Sequence, residues 1–122
     1  MKRILMVDDE EDLCRFTKAN LETIGDFEVS VCCDGTEAVG QAKELRPDLI
    51  LLDIMMPKMD GPQIAAELKT IGDTKDIPVV FLTALIRKEE IGDGLGIMGG
   101  NYFVSKPVRI SKLVGVINKL LA

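Results

Sequence analysis

Five polar side chains could carry chemistry in this sequence: Asp8 and Asp9, Asp53, Thr83 and Lys106. They stand at the ends of four runs of mostly apolar residues: Asp8-Asp9 after 4–7, Asp53 after 49–52, Thr83 after 77–82 and Lys106 after 102–105. Three carboxylates drawn together repel, so either some protonate or a cation joins them. A hard divalent ion with oxygen ligands resolves the conflict. Magnesium suits it, because that ion takes one or two carboxylates, keeps several waters and binds phosphate oxygens (Mn2+ would substitute). The formal charges of three aspartates, one divalent cation and Lys106 then cancel, and a neutralised pocket can accept a phosphoryl group. Lys106 and the Thr83 hydroxyl are donors suited to phosphoryl oxygens, and Asp53 would be the nucleophile. The chain contains no histidine, so any acid, base or nucleophile must be a carboxylate, hydroxyl, thiol or amine.

Singly, each residue has a plainer reading. Asp8 and Asp9 could cap a helix, Thr83 could be a turn hydroxyl and Lys106 a solvated surface lysine. Only their combination at successive strand ends argues for a site, so the elements that deliver them decide the matter.

Residues 4–7 form a continuous apolar run, read as a first strand buried on both faces. Leu13, Phe16, Leu21 and Ile24 approximate helical spacing, with Glu10, Glu11 and Asp12 in the favoured first turn and Gly25 to close the helix. Phe27, Val29 and Val31 alternate with more polar residues, as on an edge strand. Asp34 with Glu37 three residues on resembles a capping box; Ala38, Val39, Ala42 and Leu45 continue as a helix that Pro47 stops. The strand 49–52 leads to Asp53, and turn residues Pro57, Asp60 and Gly61 follow. Asp60 with Gln63, Pro62 near the first helical position, and Ile64, Leu68 and Ile71 on one face predict a third helix. A fourth strand spans 77–82 and a fifth 102–105. A fourth helix, expected over 88–98, contains Gly92, Gly94 and Gly96, each costing about 1 kcal/mol relative to alanine. It should be weakly formed, and the face it borders readily reshaped. Ile110, Leu113, Val114, Ile117, Leu120 and Leu121 mark a final amphipathic helix.

Alternating strands and helices with short links predict an α/β fold. It would be a flavodoxin-like, doubly wound, five-stranded parallel sheet of order 2-1-3-4-5 with five flanking helices, strands two and five at its edges. In such a sheet ligands bind outside the carboxyl ends of the strands, where all five polar residues fall.

The 122 residues suffice for one domain with a real core. A net charge of −5 argues against direct binding to nucleic acid or anionic lipid. The basic start, Lys2-Arg3, precedes only four apolar residues before Asp8-Asp9, too few for an export signal, and no run approaches the roughly 18–20 apolar residues of a membrane span. A cytoplasmic location is expected. Cys14, Cys32 and Cys33 lack Cys-x-x-Cys spacing and histidine company, and read as reduced, mostly buried residues.

With Asp8-Asp9, Asp53 followed by Met56-Pro57 and Asp60-Gly61, Thr83-Ala84, and Lys106-Pro107 all in place, the sequence resembles a response-regulator receiver domain of two-component signalling, chemotaxis-regulator-like, over essentially all of residues 1–122. The resemblance implies a phosphorylation-dependent switch rather than a turnover enzyme. Asp53 would accept a phosphoryl group from a sensor histidine kinase or a histidine phosphotransfer protein. Asp9, Asp53 and the main-chain carbonyl of Met55 would ligate magnesium, with Asp8 acting through water, while Lys106 and Thr83 would hold the phosphoryl oxygens. The family's switch pairs Thr83 with an aromatic residue three positions before the lysine, here Phe103, which lacks the hydroxyl of the tyrosine many relatives carry. Tyr102 should point to the opposite face. The face of the fourth helix, fifth strand and final helix would then control a downstream effector, or homodimerisation. Met55 and Leu85 stand where relatives flank the hydrolytic water, and neither can orient it, so self-dephosphorylation should be slow.

Other classes compete. A magnesium-dependent phosphohydrolase of the haloacid dehalogenase type usually places a second aspartate two residues after its nucleophile, where Met55 stands. A flavin or nucleotide module needs a phosphate-cradling loop after the first strand, where Glu10-Glu11-Asp12 would repel phosphate. A pseudo-receiver that never takes a phosphoryl group is a third alternative; none of the five key positions favours it.

Overall fold

The structure is a computed structural model that describes residues 1–84, 96–98, 101–106 and 109–121. Its elements in chain order are β1 (Lys2–Val7), α1 (Glu11–Ile24), β2 (Phe27–Cys32), a 3-10 turn (Gly35–Glu37), α2 (Ala38–Leu45) and β3 (Leu49–Asp53). There follow α3 (Gly61–Lys69), β4 (Val79–Thr83), β5 (Gly96–Met98), β6 (Asn101–Ser105) and α4 (Ile110–Leu120).

The sheet order is β2-β1-β3-β4-β6-β5. The first five strands of that order are parallel neighbours and reproduce the expected 2-1-3-4-5 arrangement, with β6 in the role of the fifth predicted strand. β5 is an addition: it pairs antiparallel with β6, Met98 opposite Asn101 and Gly96 opposite Phe103. Two corrections follow. The predicted fifth strand is not the sheet's edge, and residues 96–98 are strand rather than the end of a fourth helix. Glycine's poor helix propensity agrees with the second, since this strand begins at Gly96. The rest of the predicted helix, 88–95, lies outside the described residues, which contain four α-helices rather than five.

Strand alternation divides the core into two layers. Ile4, Met6, Leu49, Leu51, Val80 and Leu82 pack with Cys14 and Leu21 of α1 and with Leu113, Val116 and Ile117 of α4. Their neighbours Leu5, Val7, Ile50, Leu52 and Phe81 turn to the other side, against Ala38 and Ala42 of α2 and Ile64, Ala65 and Leu68 of α3. The continuous apolar runs in β1, β3 and β4 are what a sheet covered on both faces requires. Tyr102 joins the first layer and Phe103 the second, on opposite faces as expected.

Several local expectations are revised. Phe16 and Ile24 are exposed, at 55% and 60%; α1 buries Cys14, Thr17 and Leu21 instead, a stripe at i, i+3 and i+7 that two small or polar residues hide from a hydrophobic pattern. Asp34 and Glu37 form no capping box. Asp34 accepts hydrogen bonds from the backbone N–H and the hydroxyl of Thr36, a local competitor for the backbone that gives a 3-10 turn before α2. α2 ends at Leu45, with Arg46 in the left-handed region at φ 47° just before Pro47. α3 has the full capping box, Gln63 N–H donating to Asp60 at 2.9 Å and the Asp60 N–H to Gln63 Oε1 at 3.2 Å; it ends at Lys69, before Ile71.

Candidate phosphoryl-transfer site

The chain passes from β1 outward to β2 and then crosses back to β3, so the sheet's topological switch point lies between β1 and β3. Val7 is paired with Leu52, and the next residues on these strands, Asp8 and Asp53, emerge side by side. Asp53 is paired with Leu82 and Thr83 with Ser105, so β4 and β6 deliver Thr83 and Lys106 to the same rim. The backbone N–H of Lys106 donates to the Thr83 carbonyl at 2.8 Å, which fixes the lysine's starting point.

Oxygens from Asp8, Asp9 and Asp53 lie within 4.8 Å of one another. Asp8 is fully buried and Asp53 is 6% exposed, while Asp9 faces solvent. The Lys106 ammonium holds the group together, 2.9 Å from Asp8 Oδ2 and 3.4 Å from Asp53 Oδ1. Burial pushes the Asp53 carboxyl above the usual carboxylate range and the Asp8 charge adds to this; Lys106 and the backbone N–H of Met55 pull the other way. Burial works against the Lys106 ammonium, but its bond to Asp8 and the charges of Asp8 and Asp53 hold its pKa above the ordinary lysine value. A cavity of about 310 Å³ opens here, lined by Asp9, Glu10, Asp53, Met55, Thr83, Ala84 and Lys106.

The loops are built to hold this rim. The Cys14 thiol donates to the Asp8 carbonyl at 3.4 Å, and the Glu10 N–H donates to Asp8 Oδ1 at 3.0 Å, so α1 grips the end of β1. Across the site, Gly61 starts α3 with its N–H donating to the Ile54 carbonyl at 2.9 Å. A Cβ there would stand 2.4 Å from the Asp53 carbonyl oxygen, so only glycine lets α3 come this close.

All five polar residues singled out in the sequence therefore meet at one rim. Phe103 lies below it, half-buried and stacked on Phe81 with ring centroids 5.4 Å apart. Met55 lines the cavity, its side chain largely exposed, and Leu85 lies outside the described residues. Sequence reasoning missed Glu10: read as a favourable first-turn acid, it reaches Lys106 at 3.3 Å from 96 residues away in the chain. Its only signal was its place directly after Asp8-Asp9. Cys14, Cys32 and Cys33 are free thiols, the first two buried, as expected.

Fold and site together define a doubly wound α/β domain with an acidic, lysine-bearing pocket at its topological switch point. A family model, the response regulator receiver domain, matches residues 4–118. The chain belongs to that family, whose members act as signalling switches in two-component systems. It is 35% identical over 121 residues to the DNA-binding dual master transcriptional regulator RpaA of Synechocystis sp., with 99% of this chain and 49% of that protein covered. It is 43% identical over 106 residues to the response regulator PleD of Caulobacter vibrioides, with 87% of this chain and 23% of that protein covered. The chain thus spans half or less of the length of these relatives. Among solved structures, a response regulator from Desulfuromonas acetoxidans superposes with a TM-score of 0.81 at 30% identity, covering 99% of this chain and 97% of that one. The receiver domain of the hybrid histidine kinase CckA gives 0.78 at 30%, covering 98% and 99%. No helix among the described residues is long and apolar enough to cross a membrane.

Proposed function

We propose that residues 1–122 form one receiver domain in which Asp53 accepts a phosphoryl group from a histidine kinase or histidine phosphotransfer protein. The observation that carries this is the surroundings of Asp53: a buried carboxylate at the end of β3, opening on a cavity, with two further aspartates clustered on it and Lys106 at 3.4 Å. An Asp53 oxygen attacks phosphorus as the P–N bond to the donor imidazole breaks. The electron pair stays with the imidazole, which takes up a proton, and an acyl phosphate remains on Asp53. Lys106 leaves its carboxylate partners to meet the new oxygens, and Thr83 donates its hydroxyl from the end of β4.

The residues present fit a magnesium ion, since the clustered donors are hard carboxylate oxygens whose mutual repulsion a divalent cation relieves. Asp9, Asp53 and the Met55 carbonyl would hold it, with Asp8 acting through water. When bound, the ion supplies positive charge to the phosphoryl oxygens. Movement of Thr83 toward the phosphoryl group frees space for Phe103, and the change reaches an effector through the surface around β6 and α4. Met55 has no acid or base to offer where a phosphohydrolase would need one, so the domain acts as a slowly reset switch.

The test is the intact mass after incubation with acetyl phosphate or phosphoramidate, with and without magnesium, beside Asp53→Asn. One phosphoryl adduct that needs both magnesium and Asp53 is expected. An adduct retained by Asp53→Asn, or none with either donor, overturns the reading.

A further inference from the structure

Glu10 occupies the N-cap position of α1, yet its side chain caps nothing. It turns instead to the Lys106 ammonium, 3.3 Å away. Asp8 arranges this meeting with both oxygens: Oδ1 takes the Glu10 backbone N–H at 3.0 Å, and Oδ2 takes Lys106 at 2.9 Å. The two carboxylates differ in setting. Asp8 is wholly buried behind the lysine, whereas the Glu10 side chain is 64% exposed and lines the cavity mouth. Lys106 itself is 14% exposed. A phosphodonor entering this cavity therefore meets a carboxylate that repels its anionic oxygens and that also engages Lys106, the lysine that lies against Asp53.

We infer that Glu10 is a positioning and donor-selecting residue: it holds Lys106 at the mouth of the site before transfer and disfavours the more highly charged phosphodonors. The inference rests on Asp53 as the phosphoacceptor. Coulomb's law sets its form: removing one partly screened charge a few ångströms from the path should act more strongly on a dianionic donor than on a singly charged one, and less so in high salt. A merely structural role for Glu10 would move both donors alike.

Initial rates of adduct formation at saturating magnesium would be measured by intact mass for the unaltered protein, Glu10→Gln and Glu10→Asp. The donors are acetyl phosphate, a dianion near neutral pH, and phosphoramidate, which carries less charge. Glu10→Gln should speed reaction with acetyl phosphate by about 3- to 10-fold at low salt, and with phosphoramidate by clearly less; the difference should shrink at high salt. Glu10→Asp, which keeps the charge, should preserve the donor ratio of the unaltered protein. An unchanged ratio in Glu10→Gln, or a change indifferent to salt, overturns the role of Glu10 while adduct formation on Asp53 stands. Absence of any Asp53-dependent adduct in the unaltered protein overturns the phosphoacceptor reading and this one with it.

Discussion

Leu52 and Asp53 are consecutive on β3 and both are buried, but burial acts on them in opposite directions. For Leu52, removal from water is the driving force that holds the sheet against α2 and α3. For Asp53, it raises the free energy of the charged form, and Asp8 alongside makes this worse. The strand interiors supply stability, and the strand ends use some of it to keep charged groups crowded and ready. A rigid apolar sheet is what lets three aspartates and a lysine be held at fixed distances when their own interactions would partly drive them apart.

The most damaging way to break this contrast is in the interior. Leu51 is fully buried in the layer under α1 and α4, and Leu51→Ala should cost about 2–5 kcal/mol, read as a lower midpoint in urea. A change under 1 kcal/mol would mean that the layer collapses around the gap.

Gly61→Ala tests the junction between interior and rim. The added methyl would meet the Asp53 carbonyl oxygen, and the forced shift should cost about 1–3 kcal/mol. It should also slow phosphoryl uptake, because the backbone that carries Asp53 must move. Full stability with full uptake would show that α3 can retreat freely.

The smallest expected effect has the opposite sign. The folded state raises the Asp53 pKa, so ionising it costs stability that is intact below the usual carboxylate pKa and is lost as pH rises through the folded value. Without magnesium near neutral pH, Asp53→Asn should therefore melt a few degrees higher than the unaltered protein, and the gap should close on acidification to about pH 3. Magnesium should raise the melting temperature of the unaltered protein more than that of the variant. A variant that melts lower at neutral pH would show that the pairing of Asp53 with Lys106 outweighs its burial.

Most of the fold could be read from one residue to the next. Apolar runs in β1, β3 and β4 announced strands covered on both faces, the alternation in β2 announced an edge, and the five polar residues were conspicuous because they cluster at the ends of four strands. These are local signals, set by side-chain period and backbone propensity. What failed locally failed where a neighbour in space decided. Phe16 and Ile24 fit a helical stripe, but the face of α1 that is buried carries Cys14, Thr17 and Leu21, and Cys14 and Leu21 pack with the sheet. Residues 96–98 became a strand because β6 offered an unpaired edge to pair with.

The chain by itself determined which chemistry was available: carboxylates, one well-placed lysine and a hydroxyl, with no imidazole and no phosphate-cradling loop. Tertiary structure alone decided how that lysine is shared. Lys106 bonds Asp8 and Glu10, 98 and 96 residues away, and lies against Asp53, and no periodicity encodes such a meeting. Electrostatic partnership depends on distance and burial, which exist only once β6 has been laid beside β4 and the strand ends have been brought into line.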